Sequence, residues 1–363
     1  MAVVHQPDVD RPQRPVVSVC IANYNGEHML ADCIESVLSQ DCGSSIEVIV
    51  HDDASTDNSV ALLRLRYPQI HLLASDSNVG FCISNNRMVA TARGDFVLLL
   101  NNDAALFPDA LSALLAAAQA TASAGILTLP QFDWQTGALV DRGCLLDPFY
   151  NPIPNLDADR VDVAMVIGAC LWIPRALWVE LGGFPEWMGS VAEDMYLCCQ
   201  ARLRGRPVQV AQASGYRHWQ GRSFGGNRVN EGRLHSTYRR RALSERNKTY
   251  VLFVMTPGVV MWPLLALHLA MLATEGLLLI LLKRGASVWT RIYWLAISAP
   301  FQNFAMLRRH RHHEQSMRRI TPGGYFSVMR ALPRKLALLW RHGLPQLDEV
   351  KMADRPKSRR RHS

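Results

Sequence analysis

The chain has 363 residues, of which 49% are hydrophobic and 19% are charged. That composition can build one large packed domain with an appendage, and it excludes a disordered chain, a collagen-like chain and a disulfide miniprotein. Residues 283–363 carry 18 Lys and Arg against 4 Asp and Glu, a net of +14, and the remainder carries 21 against 27, a net of −6. An acidic body with a basic tail is untypical of a nucleic-acid binder, and it favours an anionic membrane surface as the partner of the tail.

The termini and the cysteines indicate the compartment. Residues 1–15 are rich in proline and charge and lack the apolar stretch of a signal peptide, so we expect a disordered arm on a body that stays in the cytosol. The eight cysteines form no CxxC motif and show no metal-ligand spacing. We therefore interpret them as buried, reduced thiols.

From residue 16 onwards, short apolar runs alternate with segments of helical spacing. The predicted strands cover residues 16–22, 46–50, 70–73 and 95–100, and the predicted helices cover residues 27–40, 59–66, 84–92 and 110–122. Such short intervals predict βαβ units, and hence an α/β fold with a mostly parallel open sheet flanked by helices. Polar residues gather where three of the strands end, so we expect them to line one cleft at the carboxyl edge of the sheet. No GxGxxG or GxxxxGK[ST] motif occurs, which disfavours a dinucleotide site and a P-loop.

A triplet and a pair of polar residues end two of the strands in this first half. Asp103 follows Asn101 and Asn102, and one carboxylate beside neutral amides suits Mg²⁺ or Mn²⁺, which keep waters and take phosphate oxygens as further ligands. A turn that caps the next helix explains the same triplet. Asp53, next to Asp52, can accept a hydrogen bond from the imide N–H of uracil or thymine, and the alternative is an Asx-turn.

Beyond about residue 162 the pattern becomes α+β, with a helix predicted over residues 192–204. Glu193 and Asp194 open that helix, where acids are usually dipole partners but where a fixed carboxylate can also act as a general base. His218 is a candidate metal ligand or phosphate donor, although a lone histidine is more often a satisfied polar residue.

Taken in order, these motifs resemble the family 2 glycosyltransferases of GT-A fold, particularly their rhamnosyltransferase-like bacterial members. The motifs, in chain order, are SVCIANYN (18–25), DDASTD (52–57), NVGF (78–81), GDFVLLLNND (94–103), GAC (168–170) with PR (174–175), GGF (182–184) and EDMYL (193–197). The resemblance covers residues 16–247, and it also includes Glu245-Arg246-Asn247, a stretch often seen just before the C-terminal helices of such enzymes.

The resemblance implies a role for each matching position. The implied donor-binding residues are Ala22, Tyr24, Asp53, Asn102, Asp103, His218 and Arg222. Asp103 stands at the metal-binding position of the DxD-type signature, which here reads Asn-Asn-Asp, and His218 is a second candidate ligand. Asp194 matches the catalytic base, with Gly168, Gly183 and Glu193 on the acceptor side.

The implied reaction is inverting transfer of a sugar from a nucleoside diphosphate sugar, either dTDP-rhamnose or a UDP-sugar, to a hydroxyl of a glycan or lipid-linked acceptor. It would serve cell-envelope polysaccharide or glycolipid synthesis, with Mg²⁺ or Mn²⁺ on Asp103. Two alternatives remain open, a non-catalytic membrane-associated scaffold that keeps the fold and a nucleotidyltransferase.

The predicted domains are the arm (1–15), the GT-A domain (16–247), an apolar helical region (248–320) and a basic tail (321–363). Residues 251–282 are long enough to cross a bilayer. However, Pro257, Pro263, His268 and Glu275 interrupt them, and basic residues on both flanks give no orientation. Helices lying in the membrane interface, a soluble helical subdomain or dimer interface, and a true span are all compatible with this pattern. We expect the protein at the cytoplasmic face of the cell membrane, peripheral or anchored through residues 251–282.

Overall fold

The computed structural model describes residues 3–5, 11–120, 123–219, 228–230, 233–284, 286–342 and 346–348. The strands are β1 (Val3–His5), β2 (Val17–Asn23), β3 (Ile46–Asp52), β4 (His71–Ser75), β5 (Phe96–Asn101), β6 (Ala104–Leu106), β7 (Ile126–Thr128), β8 (Gln131–Asp133), β9 (Leu139–Asp141), β10 (Cys144–Leu146), β11 (Pro152–Pro154), β12 (Cys170–Pro174), β13 (Val208–Val210), β14 (Tyr216–His218), β15 (Arg228–Asn230), β16 (Arg233–Thr237) and β17 (Gln346–Asp348). The α-helices are α1 (Glu27–Leu38), α2 (Ser59–Arg66), α3 (Phe81–Thr91), α4 (Ala110–Ala120), α5 (Arg175–Leu181), α6 (Glu193–Leu203), α7 (Tyr238–Met255), α8 (Met261–Leu279), α9 (Ala286–Val288), α10 (Trp294–Gln302), α11 (Phe304–Ser316), α12 (Pro322–Phe326) and α13 (Arg334–His342). Glu186–Met188 forms a 3₁₀ turn, and Ile280–Arg284 and Trp289–Tyr293 are π-helical.

The main sheet has eight strands in the order β1-β4-β3-β2-β5-β12-β7-β13. Strands β2 to β5 are parallel, β12 runs antiparallel between β5 and β7, and β13 is parallel to β7. The predicted α/β fold with a mostly parallel open sheet is therefore confirmed. From β2 the chain builds outward through β3 and β4 and then returns to place β5 on the other side of β2. The crevice between β2 and β5 is thus the topological switch point, where open α/β sheets bind ligands.

Helices cover both faces of this sheet. One hydrophobic core lies between the sheet and α1, α2 and α4, and the other lies between the sheet and α3, α5, α6 and α7. The central strands are buried on both faces because their apolar residues do not alternate with polar ones. All eight cysteines are free, and seven of them are buried as predicted, whereas Cys42 is partly exposed. Burial raises the pKa of the Cys20 thiol well above its usual value.

A second, four-stranded sheet stands beside the carboxyl edge of the first, in the order β6-β14-β8-β9. Strand β6 begins directly after Asp103, and its Ala104 pairs with His218 of β14. This pairing brings a residue from late in the domain next to the polar end of β5.

The C-terminal helices pack on the domain through α7. The two polar interruptions of the apolar run point inward, since His268 Nε2 lies 2.9 Å from Thr249 Oγ1 and Glu275 accepts from Arg241 at 2.6 Å. Among the described residues, Met261–Leu282 is long and apolar enough to cross a membrane, and 28% of its most apolar stretch is buried. Helix α7 continues without a break across the predicted domain boundary at residue 247.

The arm, which was predicted to be disordered, and the basic tail both contain ordered segments that contact the body. In the arm, β1 pairs with β4, and Arg11 forms an ion pair with the buried Glu47 at 2.7 Å. In the tail, α12 and α13 fold onto the body, and Lys335 of α13 reaches Glu275 at 2.7 Å. These long-range ion pairs supply the contacts that the local sequence does not reveal.

Candidate active site

The switch-point crevice is lined by a chain of hydrogen bonds across three strand ends. Asn102 Nδ2 donates to Asn23 Oδ1 at 2.7 Å, and Asn23 Nδ2 donates to Asp52 Oδ2 at 2.8 Å. Asp52 also accepts from the N–H and hydroxyl of Ser55, which closes an Asx-turn. The ends of β5, β2 and β3 are therefore fixed relative to one another by buried polar groups that satisfy each other.

Asp53 organises the loop that enters α3. Its two carboxylate oxygens accept the N–H groups of Val79 and Gly80 at 2.7 and 2.9 Å. Gly80 has φ +88°, a conformation that favours glycine, and it immediately precedes Phe81, the first residue of α3. A carboxylate oxygen has two lone pairs, so these bonds leave Asp53 able to accept one more donor on each oxygen.

Asp103 and His218 form a buried pair. His218 Nε2 lies 3.1 Å from Asp103 Oδ1, and both side chains are less than 10% exposed. On the other side of the ring, His218 Nδ1 lies 3.3 Å from Gln131 Oε1, which also accepts from the Tyr216 hydroxyl at 2.7 Å. The His218 ring therefore lies between Gln131 and Asp103, with one ring nitrogen facing the amide oxygen and the other facing the carboxylate.

This pair fits a divalent cation. An imidazole nitrogen and a carboxylate oxygen are ligands that Mn²⁺ takes, and its remaining positions can be filled by water or phosphate oxygens. Within the described residues no group of three or more His, Cys, Asp and Glu side chains could hold a metal by itself. A cation here would accordingly depend on a bound ligand for part of its coordination.

The acid pair of α6 lies against the same crevice. Asp194 Oδ2 accepts the Gly168 N–H at 2.9 Å, and the next residue, Ala169, accepts the Asn101 N–H at 3.1 Å. The Phe81 ring lies against Gly168, since a Cβ built there would stand 3.7 Å from Phe81 and 3.8 Å from Asp194 Cβ. Short contacts therefore connect Asp194 to the strand end that carries Asp103 and to the loop that Asp53 holds.

Both carboxyls of this pair have raised pKa values. Burial and the neighbouring Asp194 charge raise the pKa of Glu193 to about 8, and burial raises the pKa of Asp194 against hydrogen bonds from Gly168 and Met195. The Arg240 guanidinium on α7 opposes both shifts and is itself destabilised in its charged form by burial, which lowers its pKa. Two buried acids of raised pKa beside one cation are typical of a proton-transfer site.

The backbone before α6 is strained. Val191 and Ala192 both have left-handed φ angles, +72° and +70°, which a β-branched residue such as valine rarely adopts. Asn247 of α7 holds this segment, because its Nδ2 donates to the carbonyls of Met188, Ser190 and Val191 at 3.2, 3.0 and 2.7 Å. The hydrogen bonds from this fully buried amide therefore stabilise the strained backbone.

The remaining predicted site residues have mixed surroundings. Tyr24 is 51% exposed after the end of β2, and Ala22 is partly buried within that strand. Gly183 belongs to the turn that ends α5, where a Cβ would stand 2.7 Å from Asn86 Oδ1, so its role in the structure is in that turn. Arg222 lies outside the described residues.

Four residues of the site were not predicted from the sequence. Asn23 and Asn247 stand inside motifs that were recognised, but their partners are 29 to 79 and 56 to 59 residues away. Gln131 orients His218, and Arg240 was interpreted as part of a basic flank of the apolar run. The available signals were the position of Asn23 at a strand end and the position of Asn247 beside an arginine. Neither signal indicates which residue the side chain contacts.

Residues 18–177 match the family model described as glycosyl transferase family 2. Among curated proteins, the chain is 29% identical over 188 residues to a chondroitin synthase of Escherichia coli, covering 50% of this chain and 26% of that protein. It is 26% identical over 182 residues to an N-acetylglucosaminyl-diphospho-decaprenol L-rhamnosyltransferase of Mycobacterium tuberculosis, covering 42% and 59%.

Among solved structures, the crystal structure of GalNAc-T7 with UDP, GalNAc and Mn²⁺ aligns with a TM-score of 0.52. At 14% identity, over 67% of this chain and 48% of that one, the likeness concerns the fold, which is of GT-A type. The chain spans about a third or less of the length of the first curated relatives that it matches.

Proposed function

Because residues 18–177 match the family model of glycosyl transferase family 2, we propose that the chain is an inverting glycosyltransferase that uses a nucleoside diphosphate sugar. The observation that carries the proposal is the contact chain from Asp194 through Gly168 and Ala169 to Asn101, two residues before Asp103. It joins a carboxyl of raised pKa to the carboxyl end of β5, where a diphosphate and its cation would lie. The donor is dTDP-rhamnose or a UDP-sugar, and the acceptor is a hydroxyl of a glycan or of a lipid-linked sugar.

The nucleotide occupies the crevice between β2 and β5. Tyr24 and Ala22 flank the base or ribose, Asp53 accepts the imide N–H with a free lone pair, and Asn102 lies near the ribose. The asparagine chain from Asn102 to Asp52 keeps these contacts in place before the donor arrives, so little ordering is needed on binding.

Transfer needs one proton acceptor and one stabilised leaving group. Asp194 takes the proton of the acceptor hydroxyl while that oxygen bonds to the anomeric carbon and the bond from this carbon to the diphosphate breaks. Glu193 and Arg240 set the protonation of Asp194. The hydrogen bonds from Asn247 to residues 188–191, which we call the Asn247 clamp, fix the position of Asp194 at the start of α6. His218 and Arg222 assist the departure of the diphosphate by stabilising its negative charge.

Asp103 and His218 are the residues that would hold Mg²⁺ or Mn²⁺. Such an ion neutralises the charge that develops on the leaving diphosphate.

The acceptor side of the reaction is proposed to lie at the cytoplasmic face of the cell membrane, in polysaccharide or glycolipid synthesis. The likeness to a rhamnosyltransferase whose name specifies a decaprenol-linked substrate supports this placement. The exposed apolar surface of α8 supports it independently, since Trp262, Leu267, Leu277 and Leu278 are each at least half exposed.

The test is a donor screen with the full chain, in which UDP-, dTDP- and GDP-sugars are incubated with and without Mn²⁺. We expect hydrolysis of one donor class and release of the nucleoside diphosphate, with loss of the metal-dependent part in Asp103→Ala. Release of sugar 1-phosphate, by transfer of the nucleoside monophosphate to an acceptor, would instead indicate a nucleotidyltransferase. Absence of binding to every donor by calorimetry would leave a scaffold that keeps the fold.

A further inference from the structure

A groove of about 810 Å³ lies at the far end of α7, away from the acid pair. It is formed where α7 ends, where α8 begins and along one side of α11. Arg240 lies near the start of α7 and Phe253 lies near its end. The thirteen residues of helix between these positions correspond to about 20 Å. The groove is therefore a separate site from the candidate active site.

The floor and one rim of the groove are aromatic and apolar. The buried Phe253 ring is flanked edge-on by Trp262 and Phe304, with ring centroids 6.0 and 5.9 Å away. Outside them, Val259 is 84% exposed, Trp262 is 55% exposed and Phe304 is 43% exposed. Apolar side chains that stand this far out of a protein mark a surface that another apolar phase covers.

The other rim is basic. On α11, the positions of Phe304, Arg308, Arg311 and Gln315 recur at helical spacing and line the groove as one stripe, followed by Arg318. Arg311 is occupied, because it donates to the carbonyls of Phe253, Thr256 and Gly258 and thereby caps the end of α7. The exposed Arg308, His312 and Arg318 point to the same groove.

No acid balances these cations within the part of the chain that is described. Glu314, the one acid of α11, lies on the opposite side of the helix, where it pairs with Arg204 at 3.4 Å and accepts from Gln200. Like charges gathered in one groove repel each other unless an anion binds among them. The groove therefore combines a basic rim with an apolar rim.

We propose that this groove binds an anionic phospholipid of a membrane surface, with its phosphate between Arg308 and Arg318 and its acyl chains along Val259 and Trp262. A soluble phosphate would leave the apolar rim in water, and a neutral lipid would leave the cations unpaired. The inference rests on the proposed function only for the choice of the cytoplasmic membrane as the place of action. It assigns an attachment site at one end of the helical region rather than a membrane span.

The experiment is flotation of the full chain with vesicles of phosphatidylcholine alone and of phosphatidylcholine mixed with phosphatidylglycerol. We expect binding to the mixed vesicles, and about 30-fold weaker binding for the double variant Arg308→Ser/Arg318→Ser, the loss expected for two surface cations. The matched control, Arg14→Ser/Arg64→Ser, removes the same charge at exposed positions elsewhere and should retain most of the binding. Equal losses in the two double variants would overturn the groove, because net charge alone would then explain binding.

A second pair of variants tests the apolar rim. Val259→Asp should weaken binding, whereas Val179→Asp, at a 69% exposed valine of α5, should not. Short-chain soluble phosphatidylglycerol should compete with the vesicles. Competition by inorganic phosphate or by a short isoprenyl phosphate in its place would overturn the assignment to phospholipid.

Donor hydrolysis in solution separates this inference from the proposed function. The Arg308→Ser/Arg318→Ser protein should hydrolyse the donor as the unaltered protein does. Loss of vesicle binding with no hydrolysis by any protein would refute the function and leave the groove. If the Arg308→Ser/Arg318→Ser protein bound vesicles undiminished and hydrolysed the donor normally, the proposed lipid site would be refuted and the proposed function would stand.

Discussion

The carboxamide of Asn102 donates to the carboxamide of Asn23 across the gap between two parallel strands, at 2.7 Å. Asn23 in turn donates to Asp52 at 2.8 Å, and both Asn23 and Asp52 are 1% exposed. The Asn-Asn-Asp triplet at the end of β5 is thus coupled to the acidic turn after β3 through a residue of β2. Buried polar networks of this kind rigidify a site because each member depends on the others.

Replacing the centre of this network should damage both stability and donor binding. In Asn23→Ala, Asp52 and Asn102 each lose a buried partner, which we expect to cost ~1–3 kcal/mol of unfolding free energy. Nucleoside diphosphate binding should weaken about tenfold, equivalent to ~1.4 kcal/mol. Urea denaturation and calorimetry with UDP and dTDP measure the two effects. Asn58→Ala, at an exposed asparagine that bonds Glu27, is the control, and equal losses in the two variants would contradict the network's role.

Removing the proposed base should separate binding from chemistry. Asp194→Asn keeps the size of the side chain and loses its basicity, so kcat should fall by roughly 10²- to 10⁴-fold while nucleotide affinity stays. Asp103→Ala should show the reverse emphasis, with weaker metal-dependent donor binding. Stopped-time assays of transfer and calorimetry of nucleotide binding distinguish the two patterns. Normal transfer by Asp194→Asn would remove that residue from the role of base.

Glu193 predicts a pH dependence of stability. Its pKa in the folded protein is about 8, above the ordinary 4.5, so between these values the folded state holds a proton that the unfolded state releases. Stability should therefore fall as pH rises from about 4.5 to about 8. Glu193→Gln should lose the part of this slope that Glu193 contributes and gain stability relative to the unaltered chain at pH 8. Thermal melts across that range measure it, and parallel curves for the two proteins would be inconsistent with a buried, protonated Glu193.

Much of the fold follows from local sequence, because buried parallel strands are written as short β-branched runs. The predicted strand over residues 95–100 is observed as Phe96–Asn101, and the predicted helix over 192–204 as Glu193–Leu203. Helix α3, predicted from residue 84, begins at Phe81 because Asp53 binds the two amides that precede it. Those two hydrogen bonds span 26 and 27 positions of the chain, and local periodicity does not indicate them.

The candidate site divides in the same way. Acids at strand and helix ends, such as Asp103 and Asp194, can be picked out because an unpaired charge in a buried position needs a partner. Their partners cannot, since Gly168 meets Asp194 and His218 meets Asp103 only after the two sheets have formed. His268 and Glu275 were ambiguous for the same reason. A polar residue in an apolar run gives the same sequence pattern whether it faces lipid, water or another helix.

Asn247 should control the position of the acid pair. Asn247→Ala removes three hydrogen bonds to the strained segment before Glu193, and Asn247→Asp replaces the donor by an acceptor at the same size. Both should destabilise the fold by ~1–3 kcal/mol and reduce kcat more than they change the KM for the donor. Steady-state kinetics and urea denaturation are the measurements. A loss of stability with unchanged kcat would show that the clamp supports the fold without positioning Asp194.

The buried cluster around Glu245 should anchor the C-terminal helices. Glu245 lies fully buried within 3.1 Å of Arg241, Lys248 and Lys335, and these cations hold the pKa of its carboxyl well below the ordinary 4.5. Glu245→Gln leaves buried cations without their counter-ion and should cost ~3–5 kcal/mol, whereas Glu35→Gln, which breaks an exposed pair with Arg66, should cost at most about 1 kcal/mol.

The pH dependence of the same cluster has a definite sign. The stabilisation by Glu245 is complete above pH 4.5 and is lost as pH falls toward the depressed pKa, so acid should unfold the unaltered chain in this window. Glu245→Gln, already without that contribution, should lose less stability between pH 5 and pH 3 as judged by urea midpoints. If the two proteins lost stability equally over that range, the cations around Glu245 would not be holding a charged carboxylate, and the attachment of α8 and α13 would have to rest on apolar packing.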